Sequence, residues 1–322
     1  MTGRLGWAML GAVYLFWGST FLSIRVLVQQ ADPLAAAGVR FAIAGALLLL
    51  GLAVVKGIGA IRCARRDLGI LTGLGLLHFL FANGLVSIAE QSLASGSAAL
   101  LFATVPLCAV GMQLGGGDPA RAFVSAGLGL TGVMLVVGGP LHTWGRAEVM
   151  VLVAAAGWAL AGILARRLVG PHIGAARASA YQMLTGGLAL LLAAIARGEN
   201  LASVARLDGA GIVAMTHLVL LGSLAGFFAY QWCLTTLPWP VTTSHAYVNP
   251  IVALILGAVV LHEPIGRGTA AGALVVCLAV ALCLPTRPAP TTAVKPLNRP
   301  SVRSLTWSPA APPRLDAKES LR

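Results

Sequence analysis

The residues of this chain that could act on a solute are few, and they interrupt otherwise apolar sequence. A Trp-Gly-Ser-Thr cluster places Trp17, Ser19 and Thr20 inside the first apolar run. Asn83, Trp158, Gln182, Tyr230 and Gln231 fall in later runs, and the segment SHAYVNP gathers Ser244, His245, Tyr247 and Asn249 immediately before Pro250. Hydroxyls, amides and indoles can hydrogen-bond to a passing molecule or stack against it. None of these forms a nucleophile–base pattern, so the chemistry on offer is recognition and no catalytic residue is assigned. A structural role competes at every position. Serine and threonine can bond back to their own helix, and a buried amide or histidine can join two helices for about 0.6 kcal/mol. Either role requires a cavity or a partner, because a polar side chain in hydrocarbon is unfavourable. The SHAYVNP segment is the best candidate for a substrate contact. Proline lacks the N–H that would bond the carbonyl one turn back, which leaves that carbonyl for a polar neighbour or a ligand. Pro106 marks the same helix break in the first half.

Two charges lie at membrane depth. Arg40 follows Pro33 by seven residues, about 10 Å along a helix at 1.5 Å per residue, and Glu90 ends the third apolar run. A cation at that depth calls for a partner, so an Arg40–Glu90 pair is expected, as a structural lock or an outer gate. Glu90 is also the position to weigh for protons as a coupling partner. Burial and the Arg40 charge act on its proton in opposite senses, and the first apolar run carries no acid at all.

Other chemistries are excluded by context. Gly127, Gly129 and Gly132 spell GxGxxG, but within an apolar run and after no strand, so small-residue helix packing explains them. His262-Glu263 lacks the second histidine of a zinc-protease motif, and Glu263-Pro264 reads as a loop start. Five scattered cysteines show no metal or disulfide spacing, so no metal and no cofactor is expected. The net charge of +12 collects in loops and in the C-terminal stretch, with no basic stripe interleaved with aromatics, which argues against nucleic acid.

The elements that must carry these residues follow from composition. At 58% hydrophobic and 10% charged the chain cannot cover a water-facing surface, so its partner is the lipid bilayer. About 20 apolar residues cross a bilayer as a helix, and the charges mark off such lengths. Spans are expected between Arg4 and Arg25, from Pro33 to Lys56, between Asp67 and Glu90, from Ser95 to Gly115 and from Arg121 to Gly139. A second set follows at 148–166, 175–196, 209–234, 241–261 and 268–285, with Pro238 and Pro240 breaking the uncharged stretch from Gly209 to His262. Residues 5–140 and 147–285 thus form two five-helix units, and the Pro-, Thr- and Ser-rich residues 286–322 read as a disordered tail. The first run has no cleavage-site pattern after it and reads as an uncleaved span.

The two units are copies. Trp17 and Trp158 are 141 residues apart, Pro106 and Pro250 are 144 apart, and Asp118-Pro119 is answered by Glu263-Pro264. Lysine and arginine fall mostly in the loops that share a side with the N-terminus, nine against five without the tail, which places both termini in the cytoplasm. Five spans per unit then give the copies opposite topology, the arrangement that suits alternating access around a midplane site.

Specific stretches also resemble a known family. WGSTF (17–21), GVRF (38–41), AEQSLASGSAALLFATVPL (89–107) and SHAYVNPIVALILG (244–257) resemble the drug/metabolite transporter superfamily, and within it the EamA-type ten-helix exporters of the inner membrane, in the YedA-like branch. The resemblance covers residues 7–285. It implies an all-α integral membrane fold of ten transmembrane helices as two inverted EamA repeats, and export of a small-molecule substrate. It also implies a site lined by spans one, three, four, six, eight and nine. The uncharged polar set named above favours a neutral or zwitterionic, amino-acid-like solute. Two other classes are weighed beside it. An integral-membrane enzyme on lipid or isoprenoid substrates would need clustered acids or histidines at one face. A membrane sensor or scaffold would signal through the tail, and deleting residues 287–322 would separate it from a transporter.

Overall fold

The computed structural model describes residues 4–112, 119–137, 144–237, 241–242 and 244–283. Pro238, Pro240, Asp118 and the tail lie outside them. The described residues form helices: α1 (Arg4–Val28), α2 (Pro33–Lys56), α3 (Arg65–Ala89), α4 (Ser95–Phe102), α5 (Val105–Met112), α6 (Pro119–Val137), α7 (Arg146–Leu168), α8 (Ala175–Ala196), α9 (Gly209–Thr236), α10 (His245–Val260) and α11 (Arg267–Cys283). Six of them (α1, α2, α3, α7, α8 and α9) are long and apolar enough to cross a bilayer. The other four expected spans appear as shorter apolar stretches at Ser95–Ala109, Gly127–Val136, Val248–Val260 and Arg267–Ala279. Large apolar side chains such as Leu50, Val55, Leu192, Val213 and Leu274 stand exposed on the outside, as lipid-facing surface requires.

Equivalent helices of the two units meet each other antiparallel. On α2 and α8, Gly38 faces Leu191, Ala42 faces Gly187 and Gly45 faces Leu184, so one number rises as the other falls. The same holds for α6 and α11, where Gly132 faces Val276 and Val136 faces Gly272. These approaches are close because glycine stands at them: a Cβ on Gly38 would lie 2.8 Å from Leu191 Cδ2 and 2.9 Å from its backbone nitrogen. The remaining contacts obey the same exchange. Helix α1 packs on α9 and α10, while its counterpart α7 packs on α3, α4 and α5.

Helix starts are capped from the opposite unit. Glu199 accepts the Leu34 and Ala35 N–H groups at 2.9 and 3.0 Å at the start of α2. Glu263 accepts Ser95 N at 2.9 Å and Ser95 Oγ at 2.7 Å at the start of α4. Each carboxylate satisfies donors that a helix N-terminus leaves free, at the end its dipole makes positive.

The two prolines expected to break helices act differently. Before Pro106 the helix stops at Phe102 and resumes at Val105, which fits the loss of the donor that would have bonded the Phe102 carbonyl. Pro250 instead sits inside an unbroken α10.

Candidate functional site

Helices α3 and α9 each contain eight residues wound wider than an α-helix, Leu76–Asn83 and Leu218–Ala225. The two stretches are 142 residues apart and end before Gly84 and Gly226. Widened turns of this kind redirect carbonyls from the ladder, and here side chains take them up. Trp17 Nε1 donates to Gly222 O at 3.0 Å, and Asn83 Nδ2 donates to His78 O at 2.9 Å.

Between these stretches lies a central cavity with about 720 Å³ of empty space, part of it continuous with the outside. It is lined from α1, α2, α3, α4, α5, α7, α9 and α10 together with the turn after α4, so α2 joins the spans implied by the family resemblance. Its wall is largely aromatic. Trp17 and Trp158 meet edge to face with ring centroids 5.3 Å apart, and Tyr230 and His245 pack on Trp17 at 4.8 and 5.3 Å. Gly226 makes room for the indole, since a Cβ there would lie 2.7 Å from Trp17 Nε1.

Of the expected site residues, Trp17, Thr20, Asn83, Trp158, His245, Asn249, Pro250 and Arg40 line this cavity. Thr20 also donates back to Trp17 O at 2.7 Å. Asn249, with its amide nitrogen turned towards them, donates to the His245 and Tyr14 carbonyls at 3.1 and 3.3 Å.

The others stand elsewhere. Ser19 donates to Phe16 O and bonds His217 Nε2 at 3.0 Å, while Ser23 holds His217 Nδ1, so this group ties α1 to α9. Tyr230 is buried behind the tryptophans. Gln231 donates to Gln182 Oε1 at 3.3 Å, which also bonds His78 Nδ1 at 3.0 Å, a buried polar chain joining α9, α8 and α3. Ser244 bonds the Tyr14 hydroxyl and Val241 O. Pro106 stands off the cavity, next to Val105, which lines it. Tyr247 belongs to α10, and its side chain lies outside the described residues.

The Arg40–Glu90 ion pair is not formed. Arg40 Nε donates to Ser223 Oγ at 2.9 Å, and its guanidinium stacks on Phe41 with 4.3 Å from Cζ to the ring centroid. Glu90 is fully buried and both its carboxyl oxygens lack a hydrogen-bond partner. Its backbone carbonyl receives Arg25 Nη1. The two groups stay within electrostatic reach without touching. A hydroxyl one turn into the widened stretch of α9 took the role assigned to the acid, and nothing local in the sequence marks Ser223 for it. The capping carboxylates Glu199 and Glu263 were likewise missed, although Glu263 stands out as an acid closing a long apolar run.

A bundle of apolar helices in two antiparallel-related sets, enclosing an aromatic cavity at their interface, is an architecture that suits an integral membrane transporter. Its sequence relatives agree. The EamA-like transporter family matches residues 4–138 and again 145–284, and the chain belongs to that family. It is 36% identical over 252 residues to the uncharacterized inner membrane transporter YedA of Escherichia coli, covering 76% of this chain and 79% of that one. It is 25% identical to the uncharacterized transporter YoaV of Bacillus subtilis, covering 84% and 94%, and 24% identical to the chloroplastic WAT1-related protein At3g02690 of Arabidopsis thaliana, covering 86% and 69%. A solved crystal structure superposes with a TM-score of 0.62 at 16% identity over 85% of this chain and 94% of the other, a likeness of fold.

Proposed function

We propose that this membrane transporter is a secondary exporter that carries one small organic solute through the central cavity by alternating access. The observation that carries this reading is the position of the cavity: both units contribute to its wall, and their equivalent tryptophans meet across it. Rocking one unit against the other would expose such a site to either side in turn. The outward direction comes from the resemblance to EamA-type exporters. The charge distribution of the loops supports both termini in the cytoplasm, and an inner-membrane location comes from the likeness to the inner membrane transporter YedA. An amino-acid-like solute fits a wall that combines indole faces with the amides of Asn83 and Asn249.

The test is uptake of a mixed panel of amino acids, sugars and nucleosides into proteoliposomes, with and without an imposed pH gradient. Saturable movement of one compound that is lost in Trp17→Ala supports the reading, and no movement of any compound removes it. Collapse of accumulation with the gradient would add protons as the coupling partner.

A further inference from the structure

We infer that Arg40 is an anion receptor in the central cavity, and that the solute carries a single carboxylate on a flat apolar body. This rests on the reading of the cavity as the solute path. Arg40 is 5% exposed, lines the cavity, and is held by two contacts that leave its far edge free. Ser223 takes Nε, and Phe41 covers one face of the guanidinium. Among the described residues the terminal nitrogens Nη1 and Nη2 have no hydrogen-bond partner, and no carboxylate is in ion-pair contact with them. A guanidinium anchored in this way presents two parallel N–H groups to one carboxylate.

The rest of the wall sets what the carboxylate is attached to. Trp17, Trp158, Phe79, Phe102 and Phe227 give faces and edges on which a flat ring stacks. No other cation and no carboxylate lines the cavity among the described residues. A polyanion would therefore bring charges that nothing answers. A neutral solute forms only uncharged-acceptor hydrogen bonds with the guanidinium, weaker than those of a carboxylate, which selects against it. The sequence-based expectation of a neutral or zwitterionic solute narrows to one with a carboxylate. The Ser223 hydroxyl and the Phe41 ring hold the guanidinium in place without occupying Nη1 or Nη2.

The experiment uses the full chain in lipid nanodiscs and three probes: phenylacetate, its uncharged isostere phenylacetamide, and acetate. Binding is followed by titration calorimetry. Phenylacetate is expected to bind about 10- to 100-fold more tightly than phenylacetamide, the worth of a charge-assisted hydrogen-bonded pair, and acetate more weakly than phenylacetate. Arg40→Gln should bring the acid-to-amide ratio to about one, chiefly by weakening binding of the acid. A ratio near one in the unaltered protein, a ratio that survives Arg40→Gln, or failure of both aromatic probes to bind at millimolar concentration overturns the proposal. Should Arg40→Gln fail to fold, Arg40→Lys decides: a preference reduced several-fold supports the bidentate fork, and an unchanged one overturns it. Arg40-dependent binding without movement of any solute in proteoliposomes would keep this proposal and remove the transporter reading. Equal movement of acid and amide, indifferent to Arg40→Gln, would do the reverse.

Discussion

Trp17 and Trp158, equivalent residues of the two units, touch edge to face across the cavity, yet only one has its indole N–H bonded. Trp17 donates to Gly222 O at 3.0 Å, whereas Trp158 Nε1 is buried with no acceptor in hydrogen-bond geometry. The pair separates two contributions that usually travel together, an aromatic surface and a polar handle.

Phenylalanine at each position tests that separation. Trp17→Phe should lower stability by about 1 kcal/mol for the lost hydrogen bond, read as a lower melting temperature in detergent. Trp158→Phe should lose less than that amount. Alanine at either position should cut transport by up to about tenfold, by removing a stacking surface worth about 0.5–1.5 kcal/mol.

Gly226 should tolerate nothing larger. A Cβ there would lie 2.7 Å from Trp17 Nε1 and 2.9 Å from Leu221 O. Gly226→Ala is expected to cost about 1–3 kcal/mol through overpacking and to shift the Trp17 fluorescence. Gly11→Ala, where nothing lies within 4 Å of the new methyl, should leave both unchanged.

Glu263 ties α10 to the start of α4, so Glu263→Ala should destabilise by about 1–2 kcal/mol, as loss of a helix cap does. Glu263→Gln retains an acceptor and should recover part of that loss. Equal melting temperatures for the alanine variant and the unaltered protein would show that the contact contributes nothing.

Asp208 gives a pH-dependent case outside the spans. The Gly211 N–H, and after it Gln30, hold its carboxyl below the usual carboxylate range. A depressed folded value means that the stabilisation is complete above the unfolded value of about 3.9 and is lost as pH falls through the folded one. The melting-temperature difference between the unaltered protein and Asp208→Asn should therefore be constant from pH 8 to about pH 5 and vanish in stronger acid. A difference that grows on acidification would overturn the assignment.

Much of the architecture was legible because membrane crossing imposes length and apolarity on each segment separately. The repeat was legible because Trp17 and Trp158 survive at a fixed offset. The site was legible only in part. His245 and Asn249, picked out in the segment that leads to Pro250, line the cavity. Ser19 instead bonds His217, a partner 198 residues away that local pattern does not point to. Arg40 was paired with the nearest acid by depth alone, whereas its anchor Ser223 lies 183 residues on, in a widened turn that no periodicity announces. Charge and hydrophobicity are properties of a segment, but hydrogen-bond partners in a bundle are set by which helices meet.

The antiparallel meeting of α2 with α8 and of α6 with α11 bears on energy as well as shape. Under alternating access, the two facing states become near mirror tasks for the two units, so their free energies differ only where the copies differ. The Trp17–Gly222 bond, absent at Trp158, is one such difference, and about 1 kcal/mol of it corresponds to roughly a fivefold bias in population. Under the proposed alternating access, the resting orientation would follow from the contacts that the two copies do not share.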